Sequence, residues 1–297
     1  MKKVMLAAVL GLVLSACGGE GGGVKWRDPD SFDPQFGSPS SSLTEAEQTA
    51  AQSLTTSVSN AVAFPDTEDA ATADAQAMAA ANLPNDMGNV FGDVPSYEAT
   101  VTAQARAFAS GAALEAAPVW DNPECWTVTA RRVLYDNCTQ TTTDVEEGVT
   151  TVYRIDGSLQ AAIDAGTQDR TVTWDVTISV RMSNASASLT FSDRYRGTIT
   201  FSPTARTYVG DSRSDIYIAM SAEGFSEEAA LTYHAEFDLA YTADAPPCVN
   251  SGTLTLKRFA SEIPSGMEDD PRYQDAAVRF TWTDACGAGS VQVARQL

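Results

Sequence analysis

Residues 171–182, TVTWDVTISVRM, place an apolar side chain at every second position, from Val172 to Met182. Thr, Asp, Ser and Arg occupy the positions between them. Successive side chains of a β-strand point to opposite faces, so this alternation predicts a strand with one buried and one solvated face. The same period of two recurs on both sides of this stretch, at residues 153–163, 189–201, 216–220, 231–241, 254–256, 278–282 and 291–293.

The alternating segments predict about ten strands of one antiparallel sheet, because no helical pattern lies between them to make parallel crossovers. Gly157, Gly197 and Gly252 each open a G-[ST]-[LI] echo and each fall at an apolar-face position. Glycine at such a position lets a strand bend. The predicted fold is therefore mainly β with N-terminal helices. We expect a curled antiparallel meander, a barrel or half-barrel, with the helices packed on its apolar face.

The N-terminus has the pattern of an export signal: two lysines, an apolar run at 4–13, and small residues before a cysteine. The tetrad Leu14-Ser15-Ala16-Cys17 resembles the lipobox of bacterial lipoproteins. This resemblance implies cleavage before Cys17 and attachment of lipid to its sulfur, which makes a membrane the expected partner. Gly18 stands where an aspartate retains such proteins in the inner membrane, so the outer membrane of the cell envelope is the expected location.

The domain organisation follows from composition and periodicity. Residues 1–16 are the predicted signal peptide, and residues 17–42 are the lipidated cysteine with a flexible tether rich in Gly, Ser, Pro and Asp. Within the tether, Trp26 and Phe36 are isolated aromatics that can touch either the membrane interface or the domain. Ser42 and Glu45 form a capping box, and apolar residues then recur at steps of three or four. Residues 43–116 are predicted helical, and residues 117–297 form the β domain.

Four cysteines remain besides Cys17, and an exported protein is expected to oxidise them. Four cysteines allow three pairings. A Cys125–Cys138 hairpin bridge pairs residues whose numbers sum to 263. This register places Trp126, Val128, Val133 and Tyr135 on one shared face, with Leu134 as the exception on the other. A Cys248–Cys286 bridge does the same for its own strands, with Leu254 opposite Phe280, Leu256 opposite Val278, and Gly252 opposite Trp282. Both registers sort apolar from polar residues, so we predict these two disulfides.

The charge excludes one class of partner. The chain carries 19 Lys and Arg against 39 Asp and Glu, a formal net charge of −20. That field repels phosphate backbones, so nucleic acid is not an expected partner. No cofactor is predicted, since no cofactor-binding motif occurs in the sequence.

No residue is predicted to be catalytic or to bind a metal. The sequence has one histidine, His234, and neither a GxSxG nor an HExxH motif, so we interpret His234 as a solvated surface residue on the polar side of its strand. The acidic loop 262–275 lacks EF-hand spacing and is interpreted as solvated rather than as a calcium site. Trp120, Trp126 and Tyr135 could stack on a sugar, but core packing accounts better for Trp126 and Tyr135.

Residues 125–294 are similar to β-rich envelope lipoproteins of bacteria in their cysteine hairpin, G-T-[LI]-T strands and a final Cys-Gly-x-Gly turn at 286–289. This resemblance implies no activity. The favoured hypothesis is a lipid-anchored, non-enzymatic structural or interaction module. Two alternatives stay open: a carrier of acyl chains or another apolar ligand in a half-barrel cavity, and a hydrolase that acts on carbohydrate or another substrate through carboxylates. An integral outer-membrane barrel would show the same alternation, but the lipid anchor and helical N-terminus argue against it.

Overall fold

The computed structural model describes residues 24–39, 120–129, 132–146, 148–241, 249–270, 273–284 and 288–295. Apart from a short 3-10 helix at Pro29–Ser31, its regular elements are ten strands. In chain order they are β1 Trp126–Thr129, β2 Arg132–Asp144, β3 Val149–Ile163, β4 Arg170–Ser183, β5 Ala187–Ser202, β6 Thr207–Ala222, β7 Phe225–Tyr241, β8 Val249–Glu262, β9 Ala276–Asp284 and β10 Ala288–Arg295.

The ten strands form one antiparallel sheet in which each strand pairs with its neighbour in the sequence. The meander predicted from the alternation is therefore confirmed. β1 and β10 are the two edges and do not pair with each other, so the sheet is not closed into a barrel. Short connections between antiparallel neighbours explain the simple order, since such strands need only a turn to join them.

The alternating side chains separate into two faces, here called the apolar face and the polar face. In β4 the apolar face carries Val172, Trp174, Val176, Ile178 and Val180, all of them buried, whereas Thr173 and Asp175 on the polar face are exposed. Buried residues of strands β2 to β10 join into one hydrophobic cluster on the apolar face. Burying this stripe is the main favourable term in the fold, at about 25 cal/mol per Å² of apolar surface.

Two glycines are required where strands approach closely. Gly157 in β3 has a φ of +125°, and a Cβ there would lie 2.1 Å from the carbonyl oxygen of Asp175. Gly197 in β5 leaves room for an indole ring, because a Cβ there would lie 2.5 Å from Cζ2 of Trp174. The glycine that begins the repeated G-[ST]-[LI] sequence at these two positions is therefore required for steric reasons.

The predicted register of β8 and β9 is confirmed. Gly252 lies opposite Trp282, Leu254 opposite Phe280, and Leu256 opposite Val278. Cys248 and Cys286, whose proposed bridge suggested this register, lie outside the described residues.

The predicted register of β1 and β2 is wrong by two residues, although the faces are as expected. Trp126 pairs with Tyr135 and Val128 with Val133, and a bulge between Tyr135 and Cys138 takes up the difference. Asn137 in the bulge has a φ of 52°, which asparagine tolerates better than most residues. The bulge brings Cys138 beside Cys125, and the two form a disulfide with a Cα–Cα distance of 5.1 Å.

Several N-terminal predictions lie outside the described residues: the signal peptide at 1–16, Cys17, and the helices expected within 43–116. Residues 24–39 are described. They lie on the polar face of the sheet, so this part of the expected tether is in contact with the domain.

Candidate functional site

Among the described residues, the candidate site is the polar face of β4–β10 and the segment that packs on it. This segment, residues 24–39, is called the strap. Phe32 of the strap is buried against Phe259 of β8, with ring centroids 6.4 Å apart. The same small cluster includes Ala277 and Ala294, one from β9 and one from β10. These apolar side chains lie together on the polar face, and the strap removes them from water.

Arg27 fixes the strap through several contacts at once. Its guanidinium donates to both carboxylate oxygens of Asp275 at 2.8 Å and to the carbonyl oxygen of Ala260 at 3.1 Å. The same group lies 5.1 Å from the ring centroid of Phe259, and the Arg27 backbone N–H donates to Oγ of Ser261. The hydrogen bond to Asp275 raises the pKa of Arg27. Together, the bidentate ion pair and the cation–π contact hold the Arg27 side chain in one conformation.

The far end of the strap reaches edge strand β10. The N–H of Gly37 donates to the carbonyl oxygen of Val293 at 3.2 Å, and the side chain of Gln292 donates to the carbonyl oxygen of Gly37. The guanidinium of Arg279 lies 4.0 Å from the ring centroid of Phe36. The strap therefore crosses β8, β9 and β10. It also pairs with part of an edge that would otherwise offer hydrogen-bonding groups to other chains.

A buried ion network lies beside the strap on β5 to β7. Asp215 is only 3% exposed, and it accepts hydrogen bonds from Arg196 at 2.6 Å, Arg213 at 2.8 Å and Thr232 at 2.7 Å. Arg213 also donates to the backbone carbonyl of Arg27 at 2.9 Å. The network thus joins three strands and the strap around one buried carboxylate. Its carboxylate is satisfied by three donors, as a buried charge requires.

His234 lies on the polar face as predicted, but it is buried, 8% exposed, and so the prediction of a solvated histidine is wrong. Its Nδ1 is 3.5 Å from Glu236 and its Nε2 is 4.0 Å from Asp211. Desolvation lowers the pKa of His234, and Lys257 and Arg213 act in the same direction, while Glu236 and Asp211 oppose them. Burial is the largest cause, so His234 is held mainly as the neutral imidazole.

A polar groove of about 490 Å³ lies on the polar face of β2 to β5, beside Gly157. Its lining includes Asp136, Asp156 and Asp175, together with Arg194. Arg194 makes a bidentate pair with Asp175, and this hydrogen bonding lowers the pKa of Asp175. A general acid needs a raised pKa, so the shift of Asp175 has the wrong direction for that role. The polar lining also differs from the apolar space that a carrier of acyl chains would use.

The aromatic residues near the first disulfide belong to the core. Tyr135 is buried, and Trp120 and Trp126 are partly buried against the main hydrophobic cluster. The predicted core packing of Trp126 and Tyr135 is therefore confirmed.

The acidic loop contributes Asp275 to the ion pair with Arg27, a role that its spacing did not indicate. Elsewhere in the loop, Glu268 accepts from the N–H of Gly266. Within the described ranges, no three His, Cys, Asp or Glu side chains form a group that could hold a metal ion. No helix in that part of the chain has the length and apolar character needed to cross a bilayer.

Sequence reasoning missed Arg27 and Asp215. The two partners Arg27 and Asp275 are 248 positions apart, and no periodic pattern links them. For Asp215 a signal did exist, since Arg213 two positions earlier shares its face and Arg196 lies on the neighbouring strand. Charged residues at i and i+2 on a half-buried strand indicate such a pair.

Comparison with known proteins gives no match to the chain from family models, curated proteins or solved structures.

Proposed function

We propose that the chain is a lipid-anchored protein of the bacterial cell envelope, attached through Cys17, whose ten-stranded sheet is a structural or interaction module. The outer membrane is its proposed location. The proposal joins the lipobox at 14–17 to one structural observation, the docking of the strap that follows it. A lipid chain contributes about 0.8 kcal/mol per buried methylene, so two or more chains hold a protein on a bilayer without further contacts.

The strap is the observation that supports this function best. A lipoprotein needs a mechanical connection between its anchor and its folded part. Here the described connection begins at Val24, seven residues after Cys17, and is fixed by the contacts of Arg27 and Phe32. A force on the anchor is therefore transmitted to β8 and β9 through a bidentate ion pair and a buried aromatic contact.

The finer architecture is part of the same proposal. The sheet curls into a half-barrel, and the helices predicted within 43–116 pack on its apolar face. Two observations support this: the sheet is not closed by a β1–β10 pair, and residues of β2 to β10 share one hydrophobic cluster. A second disulfide, Cys248–Cys286, would join the residue before β8 to the segment after β9. The observed register of these two strands is the one that this bridge requires.

Metabolic labelling with a radioactive fatty acid tests the anchor in an expressing bacterium. The wild-type chain should incorporate label and sediment with the membranes, and Cys17→Ser should do neither. Cys125→Ser is the matched control, because it removes a cysteine of the folded domain and should keep the label. Equal labelling of wild type and Cys17→Ser, or no labelling of either, would refute the proposal.

A further inference from the structure

We infer that the apolar face of the sheet carries a binding site for an uncharged single-chain lipid, such as a monoacylglycerol, between β4 and β6. Two buried polar atoms mark the site, Nε1 of Trp174 and Oγ of Ser212. The inference goes beyond the proposed structural role and does not depend on the lipid anchor, because the residues that carry it lie in β4 to β9. It gives a specific site to the apolar ligand that the sequence left open as an alternative.

Trp174 and Ser212 meet beside Gly197 on the apolar face. Gly197 of β5 lies opposite Trp174 of β4 and opposite Ser212 of β6. A Cβ at Gly197 would lie 2.5 Å from Cζ2 of Trp174 and 3.0 Å from Cα of Ser212. In an indole ring, a single carbon separates Cζ2 from Nε1. The indole N–H and the serine hydroxyl therefore belong to the same part of the face.

Both polar atoms are buried, and within the part of the chain that the structure describes neither has a hydrogen-bond partner. Ser212 is 0% exposed and Trp174 is 2% exposed. Burying a polar group without a hydrogen bond is unfavourable, and native proteins pair the great majority of such groups. Two such atoms from neighbouring positions indicate a place where a ligand supplies the partner.

The charges near this place favour an uncharged ligand. Asp193 and Ser214 are 0% exposed on the same face, and Oγ of Ser214 donates to a carboxylate oxygen of Asp193 at 2.7 Å. Arg258 of β8 is 3% exposed, and its guanidinium donates to the carbonyl oxygen of Gln274 at 3.4 Å. Among the described residues, Asp193 and Arg258 are the two buried charges of the apolar face, and their signs are opposite. A charged ligand head would therefore add a buried charge without a counter-charge.

The neighbouring row of the apolar face provides a surface for the hydrocarbon chain of the ligand. The side chains of this row follow one another across the sheet and are all buried: Val172, Ile199, Phe237, Leu254 and Phe280. A mostly apolar lining with a few polar groups that fix orientation is typical of small-molecule sites.

The two polar atoms also define the head of the ligand. An indole N–H can only donate a hydrogen bond, whereas a serine hydroxyl can donate or accept one. The head must therefore present an oxygen that accepts from Trp174, together with an oxygen or hydroxyl for Ser212. The ester and hydroxyl groups of a monoacylglycerol meet both requirements without a charge.

Displacement of the fluorescent probe N-phenyl-1-naphthylamine tests the site. The mature chain, residues 17–297, is used with Cys17→Ser, so that the protein carries no lipid of its own. Monooleoylglycerol should displace the probe. Oleate, which has the same hydrocarbon chain and a charged head, should require a higher concentration. No displacement by monooleoylglycerol, or stronger displacement by oleate, would overturn the inference.

Two substitutions place the binding at Trp174 and Ser212. Ser212→Ala and Trp174→Phe each remove one polar atom and keep most of the side-chain volume. Each should weaken binding of monooleoylglycerol by about 2- to 10-fold, the equivalent of one hydrogen bond. Ser192→Ala, on the polar face of β5, is the matched control and should leave the affinity unchanged.

The result for Ser212→Ala is decisive even if Trp174→Phe does not fold, because it removes only an oxygen atom. If a water molecule or another part of the chain satisfies Ser212, Ser212→Ala and wild type bind monooleoylglycerol equally. Equal affinities of wild type, Ser212→Ala and Ser192→Ala would overturn the inference.

Discussion

At the scale of single residues, the polar face contains charges of two kinds. Asp215 is buried among Arg196, Arg213 and Thr232, whereas the side chain of Asp175 is 51% exposed in its pair with Arg194. Removing one partner of a buried pair leaves an uncompensated charge, but exposed pairs contribute little because water and salt screen them. Asp215 and Asp175 both pair with arginine but differ in burial, so comparing their substitutions isolates the effect of burial.

We expect Asp215→Ala to lower the free energy of unfolding by about 3–5 kcal/mol, because two arginines would lose their buried carboxylate. Asp175→Ala should cost less than about 1 kcal/mol, since its pair is half-exposed. Urea denaturation of both variants and the wild type at neutral pH measures the difference. Equal losses would show that the Asp215 network does not act as a buried site.

His234 should make stability depend on pH. Its pKa in the folded protein lies below the ordinary value of 6.5, mainly through desolvation. Between those two pKa values the unfolded chain binds a proton that the folded chain does not. The stability that the depressed pKa of His234 adds to the folded protein is therefore fully present above the unfolded pKa. It is lost as the pH falls below 6.5 toward the folded pKa.

We expect His234→Gln to flatten the pH dependence of the unfolding free energy below pH 6.5, by at most about 1.4 kcal/mol per pH unit. Urea titrations of variant and wild type on both sides of that pH measure the slope. Asp211, Arg213, Glu236 and Lys257 face the imidazole and stay unchanged in this comparison. An identical slope in both proteins would mean that His234 is not held neutral.

At the scale of elements, the alternation of apolar and polar residues was sufficient to predict the strands and the register of one strand pair. β8 and β9 pair as predicted because both are regular where they face each other. β1 and β2 do not, because the bulge at Asn137 inserts a residue that period-two reasoning cannot detect. The strap was missed for another reason: its Pro, Gly and Ser content is typical of linkers, and its contacts are long-range. Its aromatic residues were the available signal: the sequence analysis named Trp26 and Phe36 but overlooked Phe32, and the structure packs Phe32 and Phe36 on the domain.

Substitution of Gly157 tests the close approach of β3 and β4 at the scale of elements. Gly157→Ala combines a φ of +125° with a Cβ placed 2.1 Å from a carbonyl oxygen, so the β3–β4 pairing must shift. Gly224→Ala is the control, because its φ is +75° but nothing lies within 4 Å. We expect a loss of about 1–2 kcal/mol for the control and of more than about 3 kcal/mol for Gly157→Ala. Thermal and urea unfolding measure both, and equal losses would remove the steric explanation.

At the scale of the whole molecule, the sheet has different surroundings on its two faces. The apolar face gathers the stripes of β2 to β10 into one cluster, while the polar face holds the strap and the ion network. The identity of the two faces was predictable, because strand parity alone decides it. The burial of His234 and Asp215 was not, because it depends on strand partners and on a strap far away in sequence.

Cross-linking between the stretch 171–182 of β4 and its neighbour β5 tests the arrangement of the sheet most directly. Thr173 and Thr198 are cross-strand partners on the polar face, with hydroxyl oxygens 3.3 Å apart. Thr200 lies on the same face but opposite Thr171. After oxidation, peptide mapping should find a new disulfide in Thr173→Cys/Thr198→Cys and none in Thr173→Cys/Thr200→Cys. A link in the second pair without one in the first, or a link in neither, would contradict the register on which both faces depend.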